Sequence, residues 1–182
     1  MPFVFESRTR PPIAYGFGVH QIWLTAIGRD KPGIVARITR VLVEHGLNIE
    51  DSQMRILGGR FAMMLLLRGE TREDRLLRDL LAAARELGLD YIYVHPISDA
   101  DVVTAKPTHL ASLYGADREG QVAAVAERLA ALGVNITGLS TRLEGNASVQ
   151  EVELTVPEGV DIRAELTDIA RERGIRLELG EL

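Results

Sequence analysis

The chain repeats itself at a fixed offset of 87 positions, and that repeat restricts its fold more than any other feature. Gly28-Arg29-Asp30-Lys31-Pro32-Gly33 is answered by Gly115-Ala116-Asp117-Arg118-Glu119-Gly120, and Gly46-Leu47-Asn48-Ile49 by Gly133-Val134-Asn135-Ile136. One Asp-x-x-Gly is noise. Two in register, each followed fifteen positions after its second glycine by Asn-Ile, mark one supersecondary unit used twice. Units of roughly 75–85 residues are at the size where burial on folding is marginal, so the halves are expected to pack together.

The pattern within each copy sets the class. Ile22 to Gly28 is a short apolar β-rich run; Asp30 then stands where an N-cap belongs, with Pro32 in the first turn. Ile34, Ile38, Val41 and Leu42 follow at helical spacing until Gly46. Asn48–Ile56 and Arg60–Arg68 read as strands joined at Gly58-Gly59; Leu76, Leu77, Leu80, Leu81 and Ala84 mark a second helix, and Tyr91–Ile97 a fourth strand. The second copy runs likewise: strand His109–Gly115, helix Gly120–Leu132, strands Asn135–Arg142 and Val149–Val156, a helix lined by Ile162, Leu166, Ile169 and Ala170, and strand Ile175–Leu179. The order βαββαβ, twice, is the ferredoxin-like α+β arrangement, with strands one and three of each copy central. Expected boundaries are an irregular arm over 1–20, a first domain over 21–97, a linker over 98–108 and a second domain over 109–182.

Composition narrows what such units can do. Residues 1–104 carry 13 basic and 13 acidic side chains, and residues 105–182 carry 8 and 13, so neither half offers a basic stripe for phosphates and direct nucleic-acid binding is disfavoured. With no cysteine there is no thiolate nucleophile or Cys-based metal site. No run approaches the ~20 apolar residues of a membrane span, and the start lacks a signal-peptide core, so a soluble, cytoplasmic protein is expected. His20, His45, His95 and His109 lack metal-ligand spacing, and no P-loop, nucleophile elbow or paired carboxylates are present. Gly59-Arg60-Phe61-Ala62 is like an RNA-recognition strand, but Met63-Met64-Leu65 lacks further stacking aromatics, so core packing is the better account. No catalytic residue, metal or cofactor is therefore assigned.

The strand Phe61–Leu67 is apolar at every position, although a sheet with helices on one side needs only one apolar face. Its open face is expected to be covered by the second unit or another chain, which favours a homo-oligomer. In the second copy Val152, Leu154 and Val156 alternate with Glu151, Glu153 and Thr155, so the halves are not interchangeable.

On Asp30-Lys31-Pro32-Gly33-Ile34-Val35 with Gly46-Leu47-Asn48-Ile49, and Asp117-Arg118-Glu119-Gly120 with Gly133-Val134-Asn135-Ile136, each half resembles an ACT domain, the small ligand-sensing βαββαβ module of amino-acid metabolism. Two such units without a catalytic domain look most like the glycine cleavage system transcriptional repressor group. The first also resembles the ACT segment of formyltetrahydrofolate deformylase. The resemblance implies an amino-acid effector bound where the first loop of one unit faces the second strand of its neighbour. The implied positions are Asp30, Lys31, Pro32, Gly33 and Ile34 with Asn48 and Ile49, and Asp117, Arg118, Glu119, Gly120 and Gln121 with Asn135 and Ile136. Glu119 replaces Pro32 and brings negative charge, so the first unit is expected to hold the better-formed site.

The residue chemistry runs parallel to the resemblance. A helix N-terminus attracts a carboxylate, glycines admit close backbone approach, an aspartate holds an ammonium, and an Asn amide donates and accepts. The plainer reading makes Asp30 and Asp117 N-caps only, worth about 1 kcal/mol each, and Asn48 and Asn135 turn residues. The expectation is a non-catalytic regulator that binds glycine or serine and signals to a transcription factor or a metabolic enzyme. A ligand-free oligomerisation module and a separate regulatory subunit of an amino-acid or one-carbon enzyme are the alternatives.

Overall fold

A computed structural model describes residues 20–98, 102, 106–145 and 147–182. The arm expected over 1–20, apart from the His20 backbone, and residues 99–101 and 103–105 of the linker lie outside the described residues. The chain divides after Val102 into two compact units.

The first unit contains β1 (His20–Arg29), α1 (Ile34–Glu44), β2 (Asn48–Leu57), β3 (Arg60–Gly69), α2 (Glu73–Leu87) and β4 (Leu89–Ile97). Its sheet is antiparallel in the order β2-β3-β1-β4, so strands one and three are indeed central. Alternate β1 side chains, Ile22, Leu24 and Ala26, face inward and join Phe61, Met63, Leu65 and Leu67 of β3. Ile34, Ile38, Val41 and Leu42 of α1 and Leu76, Leu80, Ala83, Ala84 and Leu87 of α2 close this core, which puts both helices on one face. Gly58 and Gly59 both take positive φ, the twist-compatible geometry of a two-residue hairpin.

The second unit repeats the plan: β5 (His109–Ala116), α3 (Gln121–Ala131), β6 (Asn135–Glu144), β7 (Ala147–Thr155), α4 (Ile162–Arg173) and β8 (Arg176–Glu181), with sheet order β6-β7-β5-β8. Asp161 caps α4, its carboxylate accepting from the Arg163 amide at 2.9 Å. Asp161→Ala should therefore lower stability by about 1 kcal/mol in denaturant unfolding, and an unchanged midpoint would remove this cap from the account.

The helix start expected at Asp30 is corrected. The capping position of α1 is Gly33 at φ 96°, α3 is entered through Gly120 at φ 74°, and neither helix has a side-chain cap. Residues 30–33 are used by the turn out of β1, and the Asp30 amide donates to the Gly59 carbonyl at 3.0 Å, which ties the loop to the β2–β3 hairpin. Asp30 and Asp117 are thus not caps. The uniformly apolar β3 is split by the sheet: Phe61, Met63, Leu65 and Leu67 are buried, whereas Ala62 and Met64 on the helix-free face are exposed beside Trp23, Tyr91 and Tyr93. The burial of Phe61 agrees with core packing rather than base stacking.

Candidate functional site

Both loops are built alike from the backbone upward. A central strand ends, the chain turns through an exposed Asp-x-x, and a left-handed glycine delivers it into a helix whose first carbonyl bond is Arg37 N–H to Gly33 O at 2.9 Å, or Ala124 N–H to Gly120 O at 3.0 Å. The leading N–H groups of α1 and α3 are left without side-chain caps. A Cβ built on Gly33 or Gly120 meets nothing within 4 Å, so the space beside each helix start is open. Among the described residues, the carboxylates of Asp30, Asp117 and Glu119 and the guanidinium of Arg118 have no partner. Lys31 reaches the Glu86 carbonyl at 3.5 Å, and Pro32 is exposed. Ile34 and Gln121, by contrast, are buried.

The other half of the predicted site lies at the far end of each sheet. Asn48 pairs with Arg68, and Arg68 lies beside Gln21 near the start of β1; the loop follows the opposite end of that strand. Asn135 likewise pairs with Thr155, remote from Gly115 and the loop after it. Eight strand positions separate Ile49 from Leu57 at the loop end, roughly 26 Å at about 3.3 Å per residue. Within one unit, then, Asp30–Ile34 and Asn48–Ile49 do not come together, nor do Asp117–Gln121 and Asn135–Ile136. A site using both ends needs a neighbour.

That far end has features the sequence reading passed over. The register of β2 slips between Ile49 and Asp51, and that of β6 between Ile136 and Gly138, so Glu50 and Thr137 are bulge residues placed directly after the Asn-Ile pairs. Glu50 accepts from Gln21 Nε2 at 3.3 Å and pairs with Arg68. Gln21 Oε1 and Thr137 Oγ1 are buried with no hydrogen-bond partner. Such atoms are uncommon in a folded chain, and each left unpaired costs about 1–3 kcal/mol.

Other polar groups have structural work. His45 ends α1 and is held between Thr71 (3.1 Å) and Asp79 (2.9 Å), linking α1 to α2. The Asp74 carboxyl lies below its usual range because it accepts from Arg72. Arg128 is raised by its bonds to Glu165 and Glu172, and Arg142 by Glu144 and Glu151. Among the described residues no three His, Asp or Glu side chains converge as metal ligands, and no helix is long and apolar enough to cross a membrane.

Comparison with known proteins follows this geometry. Residues 20–93 match the ACT domain family. A UPF0237 protein of Methanopyrus kandleri is 43% identical over 75 residues, 40% of this chain and 83% of the relative. Phosphoserine phosphatase SerB2 of Mycobacterium tuberculosis is 28% identical over 160 residues, 85% of this chain but only 39% of that enzyme. The glycine cleavage system transcriptional repressor of Escherichia coli is 42% identical over 62 residues, 34% of this chain and 33% of the repressor. Among solved structures, an unknown protein from Galdieria sulphuraria superposes with a TM-score of 0.73 at 26% identity, over 91% of this chain and 99% of that one.

Proposed function

Because the chain belongs to the ACT domain family, we propose that it is a non-catalytic regulator that binds a small amino-acid effector. The observation that carries this reading is the pair of unsatisfied ends in both units: unpaired Asp30 and Asp117 beside uncapped helix starts, and unpartnered Gln21 Oε1 and Thr137 Oγ1 beside Asn48-Ile49 and Asn135-Ile136. A zwitterion supplies what the loop end lacks, a carboxylate for the N–H groups and an ammonium for the aspartate. In this reading the loop, Asp30 to Ile34 or Asp117 to Gln121, and an Asn-Ile end supply the two sides of the ligand site. The exposed apolar sheet face of the first unit suits association into a homo-oligomer.

Glycine or serine is the effector favoured by similarity to the glycine cleavage repressor, and the signal passes to a transcriptional or enzymatic partner in the cytoplasm. Binding shifts an existing equilibrium toward the arrangement that closes on the ligand. A second reading, a regulatory subunit of an amino-acid enzyme, is favoured by the match to SerB2, which spans both units. Capture from lysate followed by assay for phosphoserine phosphatase activity separates the two.

The direct test is thermal unfolding against the twenty amino acids at millimolar concentration. Ligand at a hundred times its Kd stabilises by about 2.7 kcal/mol, which is readily seen. No stabilisation by any amino acid sinks the sensor. The double variant Gly33→Val, Gly120→Val should lose the response relative to its own midpoint, because each valine places branched bulk at a left-handed position beside the helix start.

A further inference from the structure

The two copies differ where the second sheet meets the start of its second helix. The buried residues Leu76, Leu80, Ala83 and Ala84 of α2 and Ile162, Leu166, Ile169 and Ala170 of α4 run at the same intervals. Leu76, however, is the fourth residue of α2, whereas Ile162 is the first of α4, so the second copy lacks a turn of helix at this point. The strand beneath differs as well: Ile22, buried in the first core, is answered at the 87-residue offset by His109. A cavity of about 330 Å³ opens here, between the start of α4, His109 at the head of β5 and the last residues of β8. That volume falls within the range of small-molecule sites, about 300–1,000 Å³. His109 shares its row of the sheet with Leu154 and Ile136, so the cavity lies at the opposite end from residues 117–121.

The lining of this cavity is chemically divided. Val160, Ile162 and Leu179 supply aliphatic surface, and Arg163 and Glu181 bring opposite charges from α4 and β8. Among the described residues neither of these two charged side chains has a hydrogen-bond or ion-pair partner. Asp161, also at the rim, is engaged as the cap of α4. His109 adds a further polar group. Thr108 Oγ1 donates to the Leu154 carbonyl at 3.2 Å and accepts from the Val156 amide at 3.0 Å, so His109 Nδ1, 2.9 Å away, is the donor in their contact. A neutral ring then leaves Nε2 as an acceptor with no partner among the described residues. A cation, an anion and an acceptor around an aliphatic wall match a carboxylate, an ammonium and an alkyl side chain.

We propose that this cavity is a further ligand site, contained within the second unit, for an amino acid with an aliphatic side chain. Arg163 takes the carboxylate, Glu181 and His109 Nε2 take the ammonium, and Val160, Ile162 and Leu179 hold the side chain. The site is separate from the loops of the proposed function, where glycine or serine is favoured, and stands or falls without them.

The test is a nuclear magnetic resonance titration of the isotope-labelled full chain with L-leucine, with isocaproate, which lacks the ammonium, and with isoamylamine, which lacks the carboxylate. L-leucine is expected to shift the amide signals of Gly159 and Gly180, which border the cavity, and the two half-ligands to bind about tenfold more weakly or less. Arg163→Gln and Glu181→Gln should each weaken leucine by about tenfold or more; both positions are exposed, so the fold tolerates the changes. The double variant Gly33→Val, Gly120→Val should keep leucine binding while losing the response to glycine or serine. No shift with L-leucine at millimolar concentration overturns the proposal, and so does an affinity left unaltered by both Arg163→Gln and Glu181→Gln. Leucine binding lost only in the glycine double variant puts leucine at the loops, which removes the cavity site and keeps the sensor.

Discussion

Leu24→Ala is expected to cost the chain about 3 kcal/mol and to lower its thermal midpoint by roughly 6–12 °C. Leu24 is fully buried on β1, a central strand, with Leu65 of β3 on one side and Val94 of β4 on the other. The loss combines the transfer free energy of the deleted methyl groups with a cavity that the surroundings fill only in part, a range of about 2–5 kcal/mol for such truncations. A strand hydrogen-bonded on both sides cannot shift inward to close the space. Leu57, at 80% exposure near the tip of an edge strand, should change stability by less than about 0.5 kcal/mol when replaced by alanine. Circular-dichroism melts of the two variants decide the matter, and equal midpoints would show that Leu24 is not where the core lies.

Gly28→Val should be comparably damaging for the opposite reason. A Cβ on Gly28 falls 2.7 Å from Leu89 Cδ2 and 2.9 Å from the Leu89 Cα, at the point where the β1–β4 register shifts. A flexible side chain can move aside, but the backbone of β4 cannot do so without breaking the ladder. Overpacking of this kind costs about 1–3 kcal/mol for small insertions and more for a branched side chain. The repeat supplies an internal control: a Cβ on Gly115 would sit 2.4 Å from Ile175 Cγ2, so Gly115→Val should also destabilise. A Gly28→Val protein with an unchanged urea midpoint would mean that β4 does not approach β1 this closely. Because Gly28 lies next to the last residue of the strand that feeds the candidate loop, this variant also tests whether the loop depends on the sheet beneath it.

Much of the architecture was legible because it rests on short-range patterns. Ile34, Ile38, Val41 and Leu42 recur at helical spacing and are all buried, and Gly58-Gly59 adopts the positive φ its position called for. The start of α1 was misplaced because Asp-x-Pro-Gly satisfies the statistics of a cap and also those of a turn; the chain uses it as a turn tied to Gly59, a contact 29 residues away. The buried polar residues of β7 were missed although a signal existed: continuing the alternation back from Leu154 and Val152 reaches Gln150 and Ser148, which places two polar residues on the inward face.

The sequence by itself determined the duplication, the βαββαβ order of each copy and the loop residues, because a fixed offset and local periodicity need no third dimension. Only the tertiary structure decided which face of Phe61–Leu67 turns inward, since seven consecutive apolar residues have no alternation to read and the pairing with β1 chooses for them. It decided as well that Asn48 and Asn135 lie at the opposite end of the sheet from their own loops, because antiparallel strands return the chain across the full length of the unit. The register sets the loop and the Asn-Ile pair of each copy at opposite ends of its sheet.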